Sequence, residues 1–176
     1  MTPREAFVAR AAKQILVFDG GYGTAIQGYK LSEADYRGSL ELTHDQKGNN
    51  DLLSITRPDV VGAIHSAYLS AGADMIETNT FGANFANLAE YGIEDRIYEL
   101  AFAGAKIARE IADQFSTQEK PRWVLGSLGP GTKLPTLGHT SYEKLKDAYL
   151  TASNGLIEGG ADALLIETTQ DLLQAK

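Results

Sequence analysis

Residues 71–78 read Ala71-Gly72-Ala73-Asp74-Met75-Ile76-Glu77-Thr78, and residues 159–168 read Gly159-Gly160-Ala161-Asp162-Ala163-Leu164-Leu165-Ile166-Glu167-Thr168. Each stretch carries near its start a glycine, the residue that stops a helix, then turns through Ala-Asp and runs into a short apolar segment ending in Glu-Thr. A nearly continuous apolar run, rather than an alternating one, marks a parallel strand covered on both faces. Gly-Ala-Asp turns recur in any α/β chain, but the matching Glu-Thr ends make these two an internal repeat.

Two more runs of the same kind lie outside the repeat, so strands are predicted over residues 15–19, 74–78, 123–128 and 163–168. The stretches between them have helical period. Thr2 can cap the first, with Pro3 at its first position and Glu5 closing a T-x-x-E box. Thr56 can cap the second, with Pro58 and Asp59 in its first turn. Its predicted apolar face is Val60, Val61, Ile64, Ala67, Tyr68 and Ala71, and Gly72 ends it. The third covers residues 94–115 and buries Ile97, Leu100, Ala101, Ala108, Ile111 and Ala112. The fourth begins at the box Thr140-x-x-Glu143, with Tyr142, Leu145, Ala148, Tyr149, Ala152 and Leu156 on its apolar face. Thr168-x-x-Asp171 starts another helix, about two turns before the chain ends. Such alternation defines an α/β protein with right-handed crossovers. Four βα units are half of an eight-unit barrel, which takes about 250 residues. The sequence over residues 1–176 is therefore read as half a (βα)8 barrel, cut in the helix after the fourth strand.

Composition narrows the function classes. The chain has 176 residues and no Cys, which excludes a disulfide framework, a thiol nucleophile and a thiolate metal site within it. Lys+Arg 16 against Asp+Glu 23 gives −7, which argues against nucleic acid and anionic membrane as partners. No apolar run approaches a membrane span or a secretory signal, so the expected location is the cytoplasm.

The chemistry is expected where the parallel strands end, at Asp19-Gly20-Gly21, Glu77-Thr78-Asn79-Thr80, Ser127-Leu128-Gly129-Pro130 and Glu167-Thr168-Thr169. Three carboxylates on three strand ends converge on one mouth and can hold an ammonium. Backbone N–H groups of Gly-rich turns can hold a carboxylate, and together they suit an amino-acid ligand. A strand-end carboxylate can equally cap a loop or pair with Arg. Two long connections, 29–56 and 129–140, should flank the mouth. Asp19–Thr24 fails the dinucleotide template because Ile26 stands at the third glycine, and Gly126–Lys133 fails the P-loop because Leu134 follows the lysine. His44, His65 and His139 lack partners at metal spacing, and Trp123, Tyr142 and Tyr149 read as packing residues.

Residues 15–24 resemble the first strand and loop of the homocysteine S-methyltransferase family. Lys47-Gly48-Asn49-Asn50-Asp51-Leu52-Leu53 and the 72–81 stretch are closer still to the N-terminal, homocysteine-binding module of cobalamin-dependent methionine synthases. Residues 126–130 and 160–168 fit the third and fourth strands, so the resemblance covers nearly the whole chain. It implies a TIM barrel that binds homocysteine and zinc, with methyl transfer from methylcobalamin recharged by 5-methyltetrahydrofolate. Asp19 and Glu167 are implied contacts for the amino-acid end of homocysteine, with Gly20, Gly21, Glu77, Asn79, Thr80 and Ser127 around them. The family's zinc cysteines lie in later strands, so no catalytic residue and no metal ligand is assigned here, and the fragment alone is expected to be inactive. The partners implied are the missing C-terminal half of the barrel and the cobalamin and folate modules. The alternatives are betaine or S-methylmethionine as donor, a non-catalytic half-barrel assembly unit that pairs as a homodimer, and a complete flavodoxin-like domain.

Overall fold

The computed structural model describes residues 3–176, with side chains from residue 4. Its helices are α1 (Pro3–Ala11), α2 (Tyr22–Gly28), α3 (Glu33–Arg37), α4 (Leu53–Thr56), α5 (Pro58–Ala71), α6 (Phe85–Glu90), α7 (Ile97–Phe115), α8 (Tyr142–Glu158) and α9 (Leu172–Ala175). Its strands are β1 (Met75–Glu77), β2 (Trp123–Leu128) and β3 (Ala163–Ile166), parallel and adjacent in that order. The register sets Glu77 beside Leu125 and Leu128 beside Ile166. α7 carries the chain from β1 to β2 and α8 from β2 to β3, which is the α/β alternation read from the sequence.

The Gly-Ala-Asp repeat is a structural repeat. Gly72 and Gly160 take φ of +113° and +103°, a left-handed conformation that glycine adopts without strain, and each releases the chain from its helix. The aspartates two residues on then do the same work. Asp74 Oδ2 accepts the Val17 N–H at 2.9 Å, and Asp162 Oδ2 accepts the Val124 N–H at 2.8 Å. Each aspartate also faces an arginine, Asp74 with Arg122 at 3.8 Å and Asp162 with Arg109 at 2.9 Å. Each turn therefore staples its own strand to the segment before it, β1 to the stretch around Val17 and β3 to β2.

The predicted first strand shrinks to one bridge, Phe18 with Met75. β1 is only three residues long, and among the described residues no strand lies on the far side of this segment, so Ile15 and Val17 are exposed. Coverage on both faces holds for β2, buried at all but one position, and fails for β3. The three long helices α5, α7 and α8 cluster together, and β3 is exposed along most of its length.

The packed faces follow the sequence with local shifts. α7 buries Ile97, Leu100, Ala101, Gly104, Ala105, Ala108 and Ala112, while Ile111 is only half-buried. α8 buries Leu145, Ala148, Ala152, Gly155 and Leu156. α5 is rotated relative to the expected face: Ala67 and Ala71 are exposed, whereas His65 and Leu69 are buried. Close approach of α7 and α8 needs Gly155, where a Cβ would lie 2.7 Å from the Tyr98 carbonyl oxygen. Trp123 is buried and meets Phe7 of α1 edge-to-face at 5.4 Å, a packing role as read from the sequence.

Three caps differ from expectation. Thr56 closes α4, its hydroxyl donating to the Leu52 carbonyl, and Arg57 takes the position before α5, where it pairs with Asp59. Ser141, not Thr140, caps α8 by accepting the Lys144 N–H. Asp171, not Thr168, caps α9. The Thr2 cap lies outside the described residues.

Candidate functional site

A cavity of about 550 Å³ opens where the strands end, and Asp19, Glu77 and Glu167 all line it. Strand alternation explains the convergence. Leu125 neighbours Glu77, Ser127 lies two residues beyond Leu125, and Glu167 follows the last residue of β3, so the three groups share one face of the sheet. Asp19 Oδ2 accepts the Glu77 N–H at 2.9 Å, which holds it at the mouth although its own strand is only a bridge. The Ser127 hydroxyl donates to Glu167 Oε1, and Glu77 and Glu167 both line the cavity.

The electrostatics are one-sided. Burial pushes the Asp19 carboxyl up to about 6, with the Glu167 charge adding to the rise and the Glu77 N–H opposing it. Burial pushes Glu77 up to about 8, reinforced by its hydrogen bond to Glu167 and by the Glu167 and Asp19 charges. Asp51 and Glu90 also line the cavity, and no Lys, Arg or His does so among the described residues. Such a lining favours a cationic group.

The first wall is the turn of Gly20 and Gly21 followed by Tyr22 on α2. The Tyr22 hydroxyl donates to the Val61 carbonyl at 3.1 Å and lies 3.5 Å from His65 Nε2. His65 is fully buried, and burial lowers its pKa to about 4, so its imidazole is neutral. The structure thus makes it a core histidine, as its isolation in sequence suggested. His44 contacts Thr43, and His139 accepts the Leu134 N–H.

The opposite wall is the Gly48–Asp51 segment. It is pinned from three sides. The Asn79 amide donates to the Asn50 carbonyl at 2.7 Å and to the Ser54 hydroxyl at 3.3 Å. The Tyr36 hydroxyl donates to Asn50 Oδ1 at 3.0 Å, and Asp51 Oδ1 accepts the Gly82 N–H at 2.9 Å. Burial pushes Asp51 up to about 6. The predicted connection 29–56 does flank the cavity, but it is ordered by α3, a single 3₁₀ turn and α4. The Ser32–Asp35 capping box that starts α3 was readable from its S-x-x-D spacing. The connection 129–140 does not line this cavity. It packs instead on α9, where Asp171 accepts the Thr136 N–H and Gln174 donates to the Pro130 and Lys133 carbonyls.

The structure thus brings together Asp19, Gly20, Gly21, Glu77, Asn79, Thr80 and Glu167 on the lining, while Ser127 lies fully buried behind Glu167. Thr80 is also mostly buried, with its hydroxyl against Thr78 and the Ser127 carbonyl. Asp51 and Tyr22 also line the cavity, two residues that stand within the sequence motifs but carry no site role there. The charged residue in an otherwise apolar-flanked Asn-Asp-Leu-Leu run was the available signal for Asp51. Among the described residues no cluster of three or more His, Cys, Asp or Glu side chains could hold a metal ion. The residues present therefore do not fit a catalytic zinc.

A parallel α/β scaffold with an acidic pocket at its strand ends defines the class, and comparison with known proteins supplies the family. The family model for homocysteine S-methyltransferase matches residues 16–176. The chain belongs to the homocysteine S-methyltransferase family. It is 52% identical over 165 residues to the methionine synthases of Mycobacterium leprae and Mycobacterium tuberculosis, covering 94% of this chain. It spans only 13% of the length of those relatives. Crystal structures of the homocysteine methyltransferase MmuM from Escherichia coli share the fold. The metallated form matches with a TM-score of 0.74 at 22% identity, over 98% of this chain and 59% of that one. The oxidised form matches with a TM-score of 0.73 at 21% identity, over 99% and 59%.

Proposed function

We propose that this chain forms the amino-acid-binding side of a homocysteine methyltransferase, within residues 1–176 as the first four βα units of a TIM barrel. The observation that carries this reading is the convergence of Asp19, Glu77 and Glu167 in a cavity lined by no basic side chain. In this reading the homocysteine ammonium sits among the three carboxylates, with Ser127 fixing Glu167 from behind. The Gly20-Gly21 turn lets the backbone come close to the ligand's carboxylate, and Asn79 and Thr80 shape the second strand end. The thiol then points away from the sheet, toward the open side of the cavity.

Zinc and methylcobalamin, recharged by 5-methyltetrahydrofolate, belong in this reading to other parts of a larger protein, where zinc holds the thiol as a thiolate. This chain's own part is to bind and orient the amino acid, and the 176 residues alone transfer no methyl group. Identity to methionine synthases supports this donor over betaine or S-methylmethionine. No helix among the described residues is long and apolar enough to cross a membrane, and the reading assigns the protein to the cytoplasm. Calorimetric titration of the whole protein with L-homocysteine and with 4-mercaptobutyrate tests the reading. Loss of the ammonium should weaken binding roughly 100-fold, the effect of losing charged hydrogen bonds. Equal affinity for the two ligands would overturn it.

A further inference from the structure

We infer that Thr168 is a positioning residue for Glu167: its left-handed backbone turns the chain out of the sheet directly after the glutamate and so aims the carboxylate into the cavity. The inference rests on the reading that this cavity takes an amino acid. Among the described residues only Lys30 and Thr168 take a positive φ without being glycine. Thr168 stands at +55°, and a β-branched residue in that region is an outlier, because its Cβ crowds the carbonyl that follows. A residue keeps such a conformation only where the chain on either side imposes it, and outliers of this kind gather at ligand sites.

Both sides of the turn are anchored. On one side the Glu167 N–H donates to the Leu128 carbonyl at 3.4 Å, just past the end of β3, and the Ser127 hydroxyl donates to Glu167 Oε1. On the other, Asp171 caps α9, and its Oδ2 accepts the Thr136 N–H at 3.0 Å. Only residues 168–170 lie between the anchors, so the change from strand to helix must be made within them. Thr168 makes it, and the Thr169 hydroxyl then donates back to the Glu167 carbonyl at 3.3 Å. The Thr168 side chain is exposed, so this residue contributes the shape of its backbone rather than packing. The other Glu-Thr end of the repeat is built differently. Thr78 is buried, has no positive φ, and uses its hydroxyl, which accepts the Ser127 N–H at 2.9 Å. The two threonines thus bracket Glu167: Thr78 fixes the serine that donates to it, and Thr168 fixes the backbone that carries it.

The test is titration of the whole protein with L-homocysteine and with 4-mercaptobutyrate, which lacks the ammonium, combined with urea denaturation. Thr168→Pro locks φ at about −65° and forbids the turn. It should weaken L-homocysteine binding about 10-fold and move 4-mercaptobutyrate by less than about twofold, because only the ammonium reads Glu167. A merely structural role would move both ligands together. Thr168→Asn is the conservative variant, since asparagine accepts the left-handed region. It should keep the wild-type preference for L-homocysteine and unfold at a higher urea concentration than the wild type, because the strain is relieved. Equal weakening of both ligands by Thr168→Pro, or no weakening by the folded variant, overturns the inference. Circular dichroism checks that this variant is folded, and if it is not, Thr168→Asn decides: a lost preference or an unchanged urea midpoint overturns the inference. Equal binding of the two ligands by the wild type overturns the amino-acid reading itself, before any variant is compared.

Discussion

Asp51 shows how a carboxylate can serve a site at a cost to stability. It latches the Gly48–Asp51 wall to Gly82, yet burial holds it up at about 6 against an ordinary 3.8. A raised folded value means that stability present below about pH 4 is lost as pH rises through 6. Asp51→Asn keeps an oxygen for the Gly82 N–H and removes the ionisation. Chemical denaturation should therefore show the variant gaining on the wild type between pH 4 and 7, by about 3 kcal/mol at the upper end. His65 has the opposite sign. Its folded value of about 4 lies below the ordinary 6.5, so its contribution is present above 6.5 and lost as pH falls toward 4. At the mouth, Asp19→Asn should weaken homocysteine binding about 10- to 100-fold, read by titration of the whole protein. Asp19 and Glu167 were legible in the sequence because each ends an apolar run. The partner of Asp51 was not, because Gly82 lies thirty-one residues away and only folding brings it near.

Elements were legible where their pattern was long. The six residues of β2 stand where the apolar run put them, and the stripe of α7 is nearly the one its 3.6-residue period marks. Ends were harder, because His-Thr-Ser and Ser-Ile-Thr offer neighbouring hydroxyls and tertiary contacts choose among them. The first strand fell short because its one neighbour, β1, is only three residues long and offers a single bridge, Phe18 with Met75. Two substitutions test the elements. Gly155→Ala sets a Cβ 2.7 Å from the Tyr98 carbonyl, against backbone that cannot swing aside, and should lower stability by about 1–3 kcal/mol in urea unfolding. Asp74→Asn leaves the buried Arg122 without its carboxylate and should cost about 3 kcal/mol in the same measurement.

The whole molecule keeps considerable apolar surface in contact with water. Ile15 is 90% exposed, Leu172 86% and Ile166 57%, and the last stands on the open edge of β3. A parallel sheet edge with apolar neighbours is a template for association. The 176-residue chain should self-associate at micromolar concentration, and Ile166→Lys should shift its light-scattering mass toward the monomer. An unchanged mass would place the contact elsewhere. The α/β class was legible because helix and strand alternate along the chain, and the sheet among the described residues has three parallel strands in chain order.

The paired aspartate staples bear on how the chain is made. Asp74 grips Val17 and Asp162 grips Val124, and in both cases the later turn reaches back to a segment already synthesised. Each new unit leaving the ribosome thus brings the clasp for the one before it, so order can propagate from the N-terminus without waiting for anything downstream.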